Sequence, residues 1–407
     1  MRDDRSQPKG FYQLINMAEH THSQPRKWIV PMLPRSPQEK HRAATPLELF
    51  FDLVFVVAIA QAGAALHHGF AEGHITESII SYLAVFFAIW WAWINFTWFA
   101  SAYDCDDVPY RLVTFVQIVG ALIVAAGIQR AFEHTDYSIV VVGYVVMRLA
   151  LVSQYIRARR NTPSRQVTGF RYIVGTIACQ VAWVALVFFQ GQWWHPIVFV
   201  SLGIAELLIP IWASKAGATS WHAGHIAERY GLFTIIVLGE SILSTSMGIQ
   251  AAVESGEFNI SLVPVITGGL LIIFSMWWVY FDWSMGDLLT SIQKAFVWGY
   301  GHYFIFATIA AVGAGLAVEI DYVLHHAEID STTAGMMVSI PTILYILILW
   351  ALHARTQVAS GVQQYLIPIF SVLIFLTSFT NYTALLTGIL VVLLLAVKLI
   401  LKQRANK

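Results

Sequence analysis

The chain has 407 residues and a formal net charge of zero, with 57% hydrophobic and 12% charged residues. A soluble chain of this length needs a polar surface over two or three cores, and so few charges cannot cover one, which leaves a single membrane domain as the simpler account. Nucleic-acid binding has no support, because membrane orientation accounts for where the basic residues fall.

The opening segment, residues 1–44, scatters Pro25, Pro31, Pro34 and Pro37 among charges and lacks the continuous apolar core of a signal peptide. It reads as a mobile cytoplasmic tail. Hydropathy then predicts about twelve membrane spans, at approximately 47–66, 76–99, 111–130, 137–156, 171–190, 196–213, 227–249, 264–283, 300–318, 336–354, 364–380 and 383–401. The fold class is all-α, a polytopic integral membrane protein. Arg157, Arg159, Arg160, Arg165 and Arg171 share one connection, and Lys402, Arg404 and Lys407 follow the last span. The alternate connections, around His67 to Ile75, Gln190 to Pro196, Ala251 to Pro264 and Glu319 to Gly335, hold no Lys or Arg. Arg130 at a span end and Arg148 within a span depart from the pattern. The positive-inside rule therefore predicts both termini in the cytoplasm. Cys105 and Cys179 fall at different levels, so no structural disulfide is expected.

Twelve spans divide naturally into 45–213 and 214–407. Trp90-Trp91-Ala92-Trp93-Ile94-Asn95-Phe96 in span two matches Trp277-Trp278-Val279-Tyr280-Phe281-Asp282-Trp283 in span eight, which makes Asn95 and Asp282 counterparts. Six spans per unit give both halves one orientation, the parallel-repeat arrangement of transporters that place a pathway between their halves. Recurring interfacial aromatics would produce the same match without a repeat.

Two stretches carry a more specific signal. Thr45-Pro46-Leu47-Glu48-Leu49-Phe50-Phe51-Asp52-Leu53-Val54-Phe55 opens span one, and His225-Ile226-Ala227-Glu228-Arg229-Tyr230-Gly231-Leu232-Phe233 runs on to Leu238-Gly239-Glu240-Ser241 in span seven. Together they resemble the bacterial low temperature requirement A (LtrA) family, from Thr45 to the last span. The resemblance implies a many-span protein of the bacterial cytoplasmic membrane, linked to growth in the cold. It supplies no substrate or reaction.

Ionisable groups at bilayer depth are costly and usually face a protein interior or water. Arg148, Glu206 and Glu240 lie near the middle of spans four, six and seven, where the arginine would pair with one carboxylate and free the other for a proton or cation. Glu48 and Asp52 are one helical turn apart and would form an acidic entrance, although a helix N-terminus alone suffices to explain Glu48. His225 and Arg229 are four apart and Glu240 lies eleven further on, so the three would line one wall, with Glu228 turned toward another helix. Asp282 completes the candidate pathway residues. Seven histidines, His67, His68, His74, His134, His195, His325 and His326, fall on the predicted outer side, for proton sensing, metal capture or plain solvation, without a recognised zinc spacing.

No phosphate loop, paired-cysteine metal motif or nucleophile elbow is present, and neither an enzyme nor a cofactor is expected. The leading reading is a secondary transporter or proton-coupled permease in the lipid bilayer, with a proton, ion or small molecule as substrate and self-association left open. A cation channel is the alternative. The Phe51-Asp52 pair is loosely similar to lysosomal-type potassium channels, whose first helix carries Phe-Ser-Asp, but Phe51 replaces the Ser and the second half lacks a counterpart of Asp52. A membrane-embedded enzyme or a structural protein is the third class.

Overall fold

The computed structural model describes residues 28–40, 42–282, 289–354 and 363–405. Among them it contains twelve α-helices: α1 (Pro46–Ala71), α2 (Ile75–Tyr103), α3 (Val108–His134), α4 (Ser138–Asn161), α5 (Gln166–Val187), α6 (His195–Ser214), α7 (Ala223–Glu254), α8 (Leu262–Phe281), α9 (Ile292–Val323), α10 (Ser331–Ala354), α11 (Gln363–Thr377) and α12 (Thr383–Ala405). Eleven are long and apolar enough to cross a bilayer, and the shorter apolar helix is the eleventh in the chain. A lipid bilayer is thus the environment of the bundle, which is a multi-pass membrane protein. The predicted spans coincide with these helices, which mostly extend further at their ends.

Local chemistry sets the helix starts. Thr45 and Glu48 form a reciprocal capping box at α1, with Pro46 at the first helical position. Asp107 caps α3 by accepting from Tyr110 N, and Ser291 caps α9 by accepting from Lys294 N. Between helices, burial rather than amphipathicity decides the arrangement. The most interior helix is α9, with 89% of its apolar window buried against 22% for α6, which lies at the periphery. α1 packs on α2, α3, α7 and α9, α3 packs on α4, and α8 packs on α12.

Close helix contacts need small residues, since without water to expel, packing drives association in the membrane. A side chain at Gly268 would stand 2.2 Å from the Ala384 carbonyl carbon, so α8 and α12 touch backbone to backbone. α3 and α4 meet the same way, where a side chain at Gly143 would lie 2.5 Å from Gly120 O.

The expected mobile tail requires correction over its final third. Residues 28–40 form a strap across the end of the bundle that carries most of the cations. Met32 is fully buried, Arg35 N donates to Ala102 O at 2.8 Å and Val30 N to the Asp107 carboxylate at 2.9 Å. Arg157 binds both Asp107 and the Val30 carbonyl, the latter at 2.7 Å. One apolar anchor and a set of backbone hydrogen bonds fix a segment that composition alone marks as irregular. Residues 1–27 and Trp283 of the span-eight motif lie outside the described residues.

Candidate functional site

Asp52 lies two turns inside α1 and Arg229 two turns inside α7, and both are fully buried. Arg229 Nε donates to Asp52 Oδ2 at 2.9 Å and its Nη2 to Asp52 Oδ1, a two-pronged pairing across 177 residues of sequence. Trp93 of α2 donates its indole N–H to Asp52 Oδ1 at 2.7 Å, and the Arg229 guanidinium lies 5.7 Å from the Phe96 ring centroid. Arg229 Nη1 and His225 Nε2 each stand 3.1 Å from Glu48 Oε1, while Glu48 Oε2 accepts from Thr45 N at 2.7 Å.

The pairing continues outward. Arg42 Nη2 lies 3.5 Å from Glu48 Oε1 and 3.6 Å from Asp104 Oδ2, and Arg35 Nη1 lies 3.7 Å from the same Asp104 oxygen. A ladder of alternating charge therefore runs from the strap into the bundle: Arg35, Asp104, Arg42, Glu48, Arg229, Asp52. Burial, with repulsion from Glu48, outweighs the two guanidiniums at Asp104 and pushes its carboxyl up to about 6. Asp107 is also desolvated, but Arg157 and the N–H groups of Val30 and Tyr110 hold it below the usual carboxylate range.

This geometry corrects the acidic entrance. Glu48 and Asp52 are both fully buried and matched by cations, so they staple α1 to α7, and Glu48 also to Arg42, rather than facing a mouth. The two sequence stretches that most resemble a family are thus the two sides of one ion-pair network. Glu228 is exposed, one residue's rotation from Arg229.

Arg148 and Glu206 form a second buried pair, Nη2 to Oε2 at 2.9 Å between α4 and α6. Trp91 donates to Glu206 Oε2 at 2.9 Å and Gln180 of α5 to Oε1 at 2.8 Å, which saturates the carboxylate. A cavity of about 30 Å³, room for a water or two, lies along Trp91, the indole that donates to Glu206, with Asn95, Tyr155, Pro210 and Tyr300.

Of the two carboxylates expected near Arg148, the arginine takes Glu206 and leaves Glu240 outside the pair. The Glu240 side chain is nearly buried, with 7% of the residue exposed, and among the described residues it accepts only from Ser244 Oγ, at 3.3 Å. Among the described residues it pairs with no Lys, Arg or His. Nor does it share partners with His225 and Arg229, which belong to the same helix but turn to α1. Asp282, at the end of α8, binds Lys402 through both oxygens at 3.2 Å and is partly exposed. Its proposed counterpart Asn95 bonds its own helix, donating to Trp91 O at 2.7 Å.

One carboxylate was missed inside the bundle. Glu319 reads from sequence as an outer acid, yet α9 continues to Val323 and buries it to 5% exposure. Ala384 N, in the first turn of α12, donates to its Oε1 at 3.2 Å, and Oε2 has no hydrogen-bond partner. The unbroken apolar run of residues 309–318 leading directly into it was the available signal. At the same cation-poor end a cavity of about 790 Å³ is lined by Gln61, His68, Glu72, His74, Glu77 and Glu133. His67 pairs with Asp321 at 2.7 Å and His326 with Glu257 at 3.3 Å, and among the described residues no three potential ligands converge on a metal position. Cys105 and Cys179 are both free.

The model for "Bacterial low temperature requirement A protein (LtrA)" matches residues 43–399, so the chain belongs to that family. An uncharacterized protein of Rhizobium meliloti (strain 1021) is 30% identical over 281 residues, 65% of this chain and 63% of the relative. The match therefore spans less than two thirds of that relative's length. No solved structure matches the chain.

Proposed function

We propose that this LtrA-family membrane protein is a proton-coupled secondary transporter of the bacterial cytoplasmic membrane, with both termini in the cytoplasm. Glu240 carries the reading. Charged groups in a membrane interior are normally matched, and Glu48, Asp52 and Glu206 each have an arginine. Glu240 has one hydroxyl. A carboxylate left with so little compensation suits reversible binding of a proton or cation better than it suits a structural staple. Glu240 follows Arg229 by eleven residues, about 16 Å along α7, so it lies well past the ion-pair network.

Two parallel six-helix halves fit the reading. α1 packs on α3 and α3 on α4, and in the same positions of the second half α7 packs on α9 and α9 on α10. The two first helices, α1 and α7, meet through Asp52 and Arg229, at the boundary where transporters of this build place their site. The halves also differ, since α8 packs closely on α12 without a comparable contact between α2 and α6.

The test is reconstitution into liposomes with an internal pH dye and a panel of ions and small solutes, for the wild type and Glu240→Gln. Saturable counterflow with proton movement, lost in the variant, supports a carrier. Large unitary currents would replace this reading with a channel, and no solute or proton flux in either protein would end it.

A further inference from the structure

We propose that the corner where α4 ends, α5 begins and α6 ends is a docking site for the headgroup of an anionic phospholipid. Five cations meet there: Arg159 and Arg160 in the last turn of α4, Arg165 in the short 3-10 turn, Arg171 in α5, and Lys215 directly after α6. Contacts draw them into one patch. Arg159 Nε donates to Gln166 O at 3.2 Å, Thr168 Oγ1 to Gly217 O at 2.9 Å, and Arg171 Nη1 to Trp212 O at 2.7 Å.

What separates this corner from the neighbouring arginines of the same end is the absence of acid. Arg35, Arg42, Arg111 and Arg157 each have a carboxylate within ion-pair distance. Among the described residues none of the five corner cations does. Between Asp136 and Glu228 the sequence holds a single acid, Glu206, and Arg148 occupies it. The positive-inside rule explains why cations lie on this side, but not why the protein neutralises one group and leaves its neighbour bare.

Apolar surface lies beside the charge. Arg171 stands 5.2 Å from the Trp212 ring centroid and Arg159 5.5 Å from that of Phe170. Trp212, Phe170 and Val167 are exposed, so the corner offers acyl chains an apolar wall directly below a cationic rim. α5 also starts with no side-chain cap and no acid in its first turn. A phosphodiester with attached acyl chains satisfies charge and wall together, whereas a soluble anion or a nucleic acid uses only the charge. Arginine forks suit phosphate oxygens.

The full chain in detergent micelles, titrated with phosphatidylglycerol, phosphatidylcholine or glycerol 3-phosphate and followed by native mass spectrometry and thermal unfolding, tests this. Phosphatidylglycerol should bind and raise the unfolding temperature more than phosphatidylcholine, with little effect of glycerol 3-phosphate. The combined variant Arg165→Gln, Arg171→Gln, Lys215→Gln should lose phosphatidylglycerol affinity on the order of a hundredfold, about fivefold per cation, and keep its weak phosphatidylcholine binding. Lys215→Gln alone, at an exposed position, should lose about fivefold even if the triple variant does not fold. Equal binding of the two lipids, an undiminished preference in Lys215→Gln, or full competition by glycerol 3-phosphate overturns the proposal.

Discussion

Replacing Arg229 by Gln removes the cation that holds α1 to α7. Asp52 loses two hydrogen bonds and its counter-charge, and keeps only the indole N–H of Trp93. Glu48 is damaged less, since His225, Arg42 and Thr45 N remain within reach. The expected loss is therefore that of a single buried pair broken from one side, about 3 to 5 kcal/mol. Asp52→Asn in the same chain should recover much of it, because the amide oxygen still accepts from Trp93 and no uncompensated charge remains. The assay is unfolding of wild type, both single variants and the double variant in one detergent, read as a double-mutant cycle. A coupling of at least about 1 kcal/mol is expected for groups in direct contact. An Arg229→Gln protein within about 0.5 kcal/mol of wild type, or a double variant that loses the sum of the singles, refutes the staple.

Glu240→Gln should fold and melt like wild type but fail to restore growth in a cold-sensitive strain lacking the protein, and either a clear drop in melting temperature or full complementation would count against its role. Asp104 binds its proton more tightly in the fold than a free carboxyl does, so its contribution to stability falls as pH rises from about 4 to about 6. Unfolding at graded pH should show wild type losing up to roughly 3 kcal/mol across that window relative to Asp104→Asn, and parallel profiles would contradict the assignment. Cysteines introduced at Ser255 and Thr332, both at the cation-poor end, should react with an impermeant reagent from outside intact cells, and labelling from the cytoplasmic side alone would reverse the topology.

Much of the fold was legible because a bilayer imposes one length and one composition on every crossing element. Proline, capping residues and the charge of the connections mark where each helix begins and ends. The same uniformity hides the rest. Helices that are apolar all round give no stripe to say which face turns inward. Periodicity therefore placed His225, Arg229 and Glu240 on one wall, and could not tell that the first two turn to Glu48 and Asp52 while the third meets Ser244. The Glu319 case is similar: its burial depends on α9 running on past residue 318 and on α12 beginning against it.

The amino-acid sequence by itself determined the class, the approximate spans, the polarity of the connections and the family, since each follows from composition or from short contiguous motifs. Only the tertiary structure decided the partnerships. Arg148 chose Glu206 over Glu240, Arg229 chose Asp52, and Met32 seated a strap that composition reads as a loose tail. These outcomes rest on helix rotation, and rotation is set where glycines let backbones touch, as at Gly143 and Gly268, and where buried charges must find a mate. Both conditions join residues far apart in the chain, 177 positions for Asp52 and Arg229, and no local pattern records them.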